Sequence, residues 1–384
     1  MKCSLPNTTQ ILSSFGGQNA SLFDIGNSTD SGESYSSKMA PDAVSHFVRI
    51  VLVPIICVFG VLGNVLTLLV LTRKRLKVTC DGTERMVHIG LAALAVSDLL
   101  FCLSSLPHGF YAGNRYDYST KSFELLYRTY SHAFINTFIL TSTWLTVTMA
   151  TSRYLAICHP FKARHLIGMK GTKVSVALVY LAAMILNIPR LFDNKIKMMC
   201  IKGELSYFFF ADYDIDVRRQ TIYSWVYFTV GIFLPLLALA FCNICLVRAL
   251  RESSRIRKRY RVPAAHVDSN YRITSILVTI VIMYILLVSP AEITHFVGAR
   301  MPASTTPTAN TPMVIAIEVT NVLQNLNFSC NFILYFVLNV HFRHGLRDLL
   351  CLCAAFPCLP ERRRRRKDIR LHRQMSLKTT QTTL

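Results

Sequence analysis

The sequence predicts an all-α membrane protein, a seven-transmembrane helix bundle with a short cytoplasmic amphipathic helix after the last span. Three observations predict it. Of the 384 residues, 52% are hydrophobic, more than an ordinary soluble domain carries. Apolar runs of about 20 residues, the length that crosses a bilayer, recur along the chain. These runs are apolar all round, whereas the helices of a soluble bundle each keep a polar stripe.

The spans fall at 47–72, 85–112, 124–157, 173–192, 220–249, 271–298 and 312–338. Residues 1–46, rich in Ser, Asn, Gly and Asp, read as a disordered extracellular tail. That tail lacks the charged-then-apolar start of a signal peptide, so the first span is expected to direct insertion. Its acceptor triplets at Asn7, Asn19 and Asn27 suit glycosylation, while Asn327-Phe328-Ser329 falls inside the seventh span and is a false match. Residues 47–340 form the seven-span domain, 341–353 the amphipathic helix and 354–384 a basic, Ser/Thr-containing tail.

Orientation follows from charge. The segments "TRKRLK" (72–77), "KARH" (162–165), "RALRESSRIRKRYR" (248–261) and "RRRRRK" (362–367) lie on one side of this topology. The positive-inside rule makes that side cytoplasmic and the N-terminus extracellular, in a multi-pass protein expected at the plasma membrane. The net charge of +21 then reflects topology and attraction to anionic inner-leaflet lipid, not nucleic acid. Most of the 12 cysteines lie in spans, where a thiol acts as a small apolar group, and none has a metal-site spacing. Cys351, Cys353 and Cys358, beside the arginine run, suit S-palmitoylation.

Polar residues within the spans carry the functional signal, because each is costly in lipid unless it faces a packed interior or water. Span 1 holds Gly63-Asn64, and span 2 has Asp98 as its one acid within "LAALAVSDLL". Ser142 lies in span 3 above Arg153, and Asn327 and Asn331 share a face of span 7. In the outer halves, His108, Tyr111, Arg128, His132, Asn136, Tyr223, Tyr227, Glu292, His295, Glu318, Asn321 and Gln324 outline a ligand pocket. Glu292 is costly two residues past Pro290, and His295, one turn on, is its nearest candidate partner within the helix.

Taken together, Gly63-Asn64-Val65, "LAALAVSD", "SRYLAICHP", Pro235, Pro290 and "NFILY" (331–335) resemble the rhodopsin-like G-protein-coupled receptors over residues 47–353. The resemblance implies that Asp98, Ser142, Asn327 and Asn331 surround a structural sodium ion, the one inorganic partner expected. It implies that Arg153, Tyr154, Phe161 and Tyr335 serve activation and coupling to a heterotrimeric G protein. Further similarity of "NIPRLFD", "TSTWLT", "FLPLLALAFCN" and "NFSCNFILY" to invertebrate FMRFamide-type receptors implies a neuropeptide ligand, amidated at its end. In such peptides an arginine precedes the amidated phenylalanine. Glu292 and Glu318 are expected to meet that guanidinium, leaving Arg128 and His132 for acidic or carbonyl groups.

The chain departs from the family pattern in several places. Ser152 replaces the acid before Arg153, Val288 the tryptophan of span 6, and Phe332 the proline of span 7. Arg128 stands where the partner of Cys200 is usual, so the disulfide left open is Cys3–Cys200.

A light sensor would need a lysine where Asn325 stands, and an amine receptor an acid at Ile135. The internal repeats or midplane charges of a transporter are absent from the sequence. No catalytic constellation marks an enzyme. A receptor of the same fold for a non-peptide ligand is the alternative. Phosphorylation at Ser376, Thr379 and Thr380 would attract arrestin, and the ending Gln381-Thr382-Thr383-Leu384 suits a PDZ groove.

Overall fold

The computed structural model describes residues 46–72, 82–111, 123–159, 161, 163, 168–192, 194–201, 204–211, 217–260, 267–298, 300, 311–338 and 340–353. Span 1 is a π turn, Val48–Leu52, followed by α1, Val53–Leu71. Spans 2 and 3 are α2, Gly82–Tyr111, and α3, Phe123–Cys158. Span 4 is α4, Met169–Asn187, ending in a 3₁₀ turn, Ile188–Phe192. Span 5 joins α5, Val217–Phe228, through a π turn, Thr229–Phe233, to α6, Leu234–Tyr260. Span 6 is α7, Val267–Leu287, and α8, Ser289–Gly298; span 7 is α9, Thr311–Leu338.

Among the described residues, six spans are long and apolar enough to cross a bilayer by composition. The seventh has the length, at 28 residues, but Glu318, Asn321, Gln324, Asn325, Asn327 and Asn331 lower its hydropathy. Their polarity points inward: Glu318, Gln324, Asn325, Asn327 and Asn331 are all buried. Between spans 4 and 5 the chain makes an antiparallel hairpin of β1, Asn194–Ile201, and β2, Glu204–Ala211. Hydropathy alone marks this segment only as a connection, and the alternation of Lys195 and Lys197 with Ile196 and Met198 is its legible strand signal.

The prolines set the irregular turns. In span 5 the N–H of Leu234 reaches back five residues to Thr229 O, so the next donor would serve Val230 O. That donor would come from Pro235, which has none, and Trp144 Nε1 of span 3 fills the gap at 3.2 Å. The π turn of span 1 likewise precedes Pro54. In span 6, Pro290 separates α7 from α8 at Val288. Span 7, with Phe332 in place of proline, runs unbroken.

Span 3 sits at the centre, with two-thirds (67%) of its apolar window buried, while span 4 lies at the edge with 11%. The hydroxyls of Thr129, Thr137, Thr141, Thr143, Thr146, Thr148 and Ser152 each bond a carbonyl one turn back, so span 3 carries polar side chains without exposing donors. Spans 1 and 7 close on small residues. Asn64 Nδ2 donates to Phe328 O at 2.9 Å, and Ser329 Oγ to Ile56 O at 2.9 Å. Gly60 permits this approach: a Cβ there would lie 2.5 Å from Ser329 Oγ and 2.6 Å from Cys102 Sγ.

The helix α10, Val340–Cys353, belongs to a second unit, separate from the bundle. Arg343 and Arg347 share one face and Phe342 and Leu346 another, an amphipathic pattern.

The seam between spans 1 and 7 yields a first prediction. Gly60→Leu should destabilise the detergent-purified protein by roughly 1–3 kcal/mol, the usual cost of overpacking, seen as a lower midpoint of thermal unfolding. Gly168→Ser, at the N-cap of α4 where no atom lies within 4 Å of the added Cβ, should not lower the midpoint. Equal midpoints for Gly60→Leu and wild type would contradict the seam.

Candidate functional site

Among the described residues, the middle of the bundle holds one acid. Asp98 on span 2 is fully buried, and it accepts Ser142 Oγ of span 3 at 2.9 Å and Asn331 Nδ2 of span 7 at 2.5 Å. One carboxylate thus draws three spans together. Both partners are neutral, and no cationic side chain among the described residues pairs with it. Asn327, buried one turn before Asn331, is not among its hydrogen-bond partners. A buried carboxyl group with only neutral donors is accommodated by a proton or by a counter-charge. The oxygens of Asp98, Ser142 and Asn331 are the hard donors that suit a small monovalent cation.

At the inner end, Arg153 and Tyr335 are buried, while Phe161 is 84% exposed. Ser152, in the place of the expected acid, bonds its own helix through Thr148 O at 2.8 Å. Tyr154 is half-buried, packs edge-on against Phe241 of span 5, and lies 3.1 Å from His159 Nε2 through its hydroxyl. This end of the bundle therefore carries an exposed phenylalanine, Phe161, and a buried guanidinium, Arg153.

The outer half collects the polar residues of spans 3, 4, 5, 6 and 7. Span 6 restarts at Ser289 with Pro290 in its first turn, which sets Glu292 two residues past that proline in α8. Glu292 is buried and accepts Gln324 Nε2 at 2.8 Å, so its partner is a neutral amide from span 7. His295, the alternative partner, instead pairs with Asn321 Oδ1 at 2.8 Å. Periodicity along one helix could not reveal this, because both partners come from the facing span. Tyr227 Oη donates to Asn136 Oδ1 at 3.5 Å, and Asn136 Nδ2 to His132 O at 2.8 Å. The side chain of His132 is exposed within this outer half.

Two arginines enter that sequence reasoning missed. Arg190, in the 3₁₀ turn after span 4, donates from Nε to Tyr223 Oη at 3.2 Å and lies 4.8 Å from the ring centroid of Tyr227. Arg49, in the π turn of span 1, donates from Nε to Glu318 Oε1 at 2.7 Å and also from Nη2. Glu318 is therefore a buried, internally paired carboxylate, which departs from the expectation of an acid open to ligand near the mouth. An arginine at a helix end reads in sequence as a headgroup contact, so neither stood out.

The remaining expectations lie outside the described residues or side chains. These are Asn7, Asn19, Asn27, Cys3, Cys358, Ser376, Thr379, Thr380 and the ending 381–384, and the side chains of His108, Tyr111, Arg128, Cys200, Cys351 and Cys353.

Comparison with known proteins places this arrangement. The family model described as "7 transmembrane receptor (rhodopsin family)" matches residues 63–335. The FMRFamide receptor of Drosophila melanogaster is 22% identical over 333 residues, 80% of this chain and 55% of that protein, so the chain spans just over half its length. Neurotensin receptor type 1 of Homo sapiens is 26% identical over 328 residues, 81% of this chain and 76% of that protein. The same receptor of Rattus norvegicus is 35% identical over 136 residues, covering 35% of this chain and 31% of that protein.

The Arg49–Glu318 pair gives a second prediction. Arg49→Ala strands a buried carboxylate and should cost about 1–3 kcal/mol of stability. Adding Glu318→Gln removes the stranded charge and should recover much of that loss, read by thermal unfolding of the purified single and double variants. A double variant no better than Arg49→Ala would show that the pair is not coupled.

Proposed function

The chain belongs to the rhodopsin family of seven-transmembrane receptors, and on that premise we propose that it binds an extracellular, C-terminally amidated neuropeptide and activates heterotrimeric G proteins. It would do so as a multi-pass plasma-membrane protein with residues 1–46 outside and 354–384 inside. The names of its relatives support a peptide ligand. The observation that carries the reading is Glu292, a buried carboxylate in the outer half whose bonded partner is an uncharged amide. Such a group favours a ligand that brings its own cation, and a guanidinium matches a carboxylate with two parallel donors. Gln324, His295, Asn136, His132 and Tyr227 line the same region and offer hydrogen bonds to peptide groups.

Asp98, Ser142, Asn327 and Asn331 would hold a sodium ion, which would supply the counter-charge that Asp98 lacks among side chains. Ser142 and Asn331 fix the orientation of the carboxylate between spans 2, 3 and 7. A ligand that shifts the outer halves of spans 6 and 7 acts through Glu292 and Gln324 on the span that also carries Asn331. At the inner end, Arg153, Tyr154, Phe161 and Tyr335 form the surface for the G protein. Phe161 is the exposed apolar contact, and Arg153 is the buried charge that an inward-opening bundle uncovers.

The test is a calcium and cAMP readout in transfected cells challenged with a library of amidated neuropeptides. At least one peptide should evoke a response in wild type. Arg153→Ala, at matched surface expression, should abolish or sharply reduce that response while peptide binding stays measurable. Silence to the whole library, or full signalling by the variant, would overturn the reading.

A further inference from the structure

The proposed peptide ligand brings one charge, a cation for Glu292; on the same premise of a peptide receptor, Arg190 calls for a second. Arg190 comes directly after Pro189, in the turn that closes span 4, and its side chain is half-buried in the outer half. Its guanidinium is fixed on two sides. Nε donates to Tyr223 Oη at 3.2 Å, and the plane lies against aromatic rings, 4.8 Å from the centroid of Tyr227 and 5.5 Å from that of Tyr223. Tyr227 is held in turn by Asn136 of span 3. Nη1 and Nη2 have no hydrogen-bond partner among the described residues.

Glu292 does not neutralise it. Among the described residues the ion pair is Arg49–Glu318, although Arg190 and Glu292 lie close enough to feel each other's charge. The outer half thus keeps one cation and one anion apart, each anchored by a neutral partner. With the Nε edge occupied by Tyr223, the edge left to a ligand is the pair of Nη groups. Two N–H bonds on that edge run side by side, a spacing that two oxygens of one group accept together. A carboxamide offers one oxygen and turns its own N–H groups against these donors. A carboxylate offers two oxygens and the opposing charge.

We propose that Arg190 docks a carboxylate of the ligand, so that the peptide recognised carries both a cation for Glu292 and a carboxylate for Arg190. That carboxylate belongs either to the peptide's C-terminus or to an Asp or Glu within it. An amidated peptide satisfies the pair only through such an acidic side chain. Arg128, expected to meet acidic groups of the ligand, has its side chain outside the described residues, and Arg190 is a second candidate whose orientation is fixed by two tyrosines.

The experiment uses a library of short peptides made as C-terminal acids and as amides, with each acidic position also supplied as Asn or Gln. Binding is measured on membranes bearing wild type, Arg190→Gln or Arg190→Lys at matched surface expression. The tightest wild-type binders should contain a carboxylate, and neutralising it should weaken binding roughly 30-fold or more. The same change should cost little in Arg190→Gln. Arg190→Lys should fall between, because it keeps the charge and loses the paired donors. Where Arg190→Gln does not reach the surface, Arg190→Lys carries the comparison. The acid and amide arms separate a C-terminal carboxylate from a side-chain one. Tight binders without a carboxylate, or an equal loss in wild type and both variants, would overturn the role of Arg190 and leave the peptide reading standing. If no peptide in the library binds wild type, the peptide reading fails and this inference with it.

Discussion

A single carboxylate organises the middle of this bundle. Asp98 is fully buried on span 2, and its two bonded partners come from spans 3 and 7. Leaving such a group unpaired in a low-dielectric interior would cost more than most single contacts return, so the partner spans are held where their donors reach it. From there the constraint spreads. Span 7 is tied to span 1 through Asn64 and Ser329, and Gly60 lets the two backbones approach. Span 3 is tied to span 5 through Trp144 and to span 6 through the Thr143 and Tyr284 hydroxyls, 3.3 Å apart. Apolar packing fills the space between, as in the stacked rings of Phe101 and Phe328, 3.9 Å between centroids.

The prolines interrupt the regular helices of this bundle. Each removes a backbone donor, and the bundle answers differently every time. In span 5 a side chain from span 3 takes the freed carbonyl. In span 6 the helix stops and restarts at Pro290, and Glu292 sits in the first turn of the restarted segment. The charge proposed to meet the ligand therefore rides on the short segment beyond the break. A pull on Glu292 acts through Gln324 on span 7, which carries both that residue and Asn331. The chain of contacts thus runs from the outer cluster along span 7 to the buried acid.

How much of this was legible in the sequence depends on the range of the interaction. Hydropathy placed the spans to within a few residues, because burial in lipid is a property of each segment by itself. Asp98, Ser142 and Asn331 stood out as polar groups in apolar runs, and their resemblance to a known pattern suggested that they meet. Partnerships between helices were not legible where no such pattern existed. Glu292 looked toward His295 on its own helix and found Gln324 on another, and Glu318 looked open and found Arg49 at the start of the chain's first span. Arg190 was invisible for a different reason: a basic residue at a helix end has an ordinary role at the headgroups. Its two tyrosine neighbours lie 33 and 37 residues on in sequence, and only folding brings them to it.

The dependence of the bundle on its buried acid can be measured without knowing the ligand. The thermal unfolding midpoint of purified wild type and Asp98→Asn would be followed as sodium chloride replaces choline chloride at constant ionic strength. If Asp98 is a carboxylate awaiting a small cation, wild type gains stability with sodium. Asp98→Asn, which keeps the shape and loses the charge, then stays flat across the titration. A variant that gains with sodium as wild type does would contradict the account, because the counter-charge would then lie elsewhere and Asp98 would not be the group that holds the spans in register.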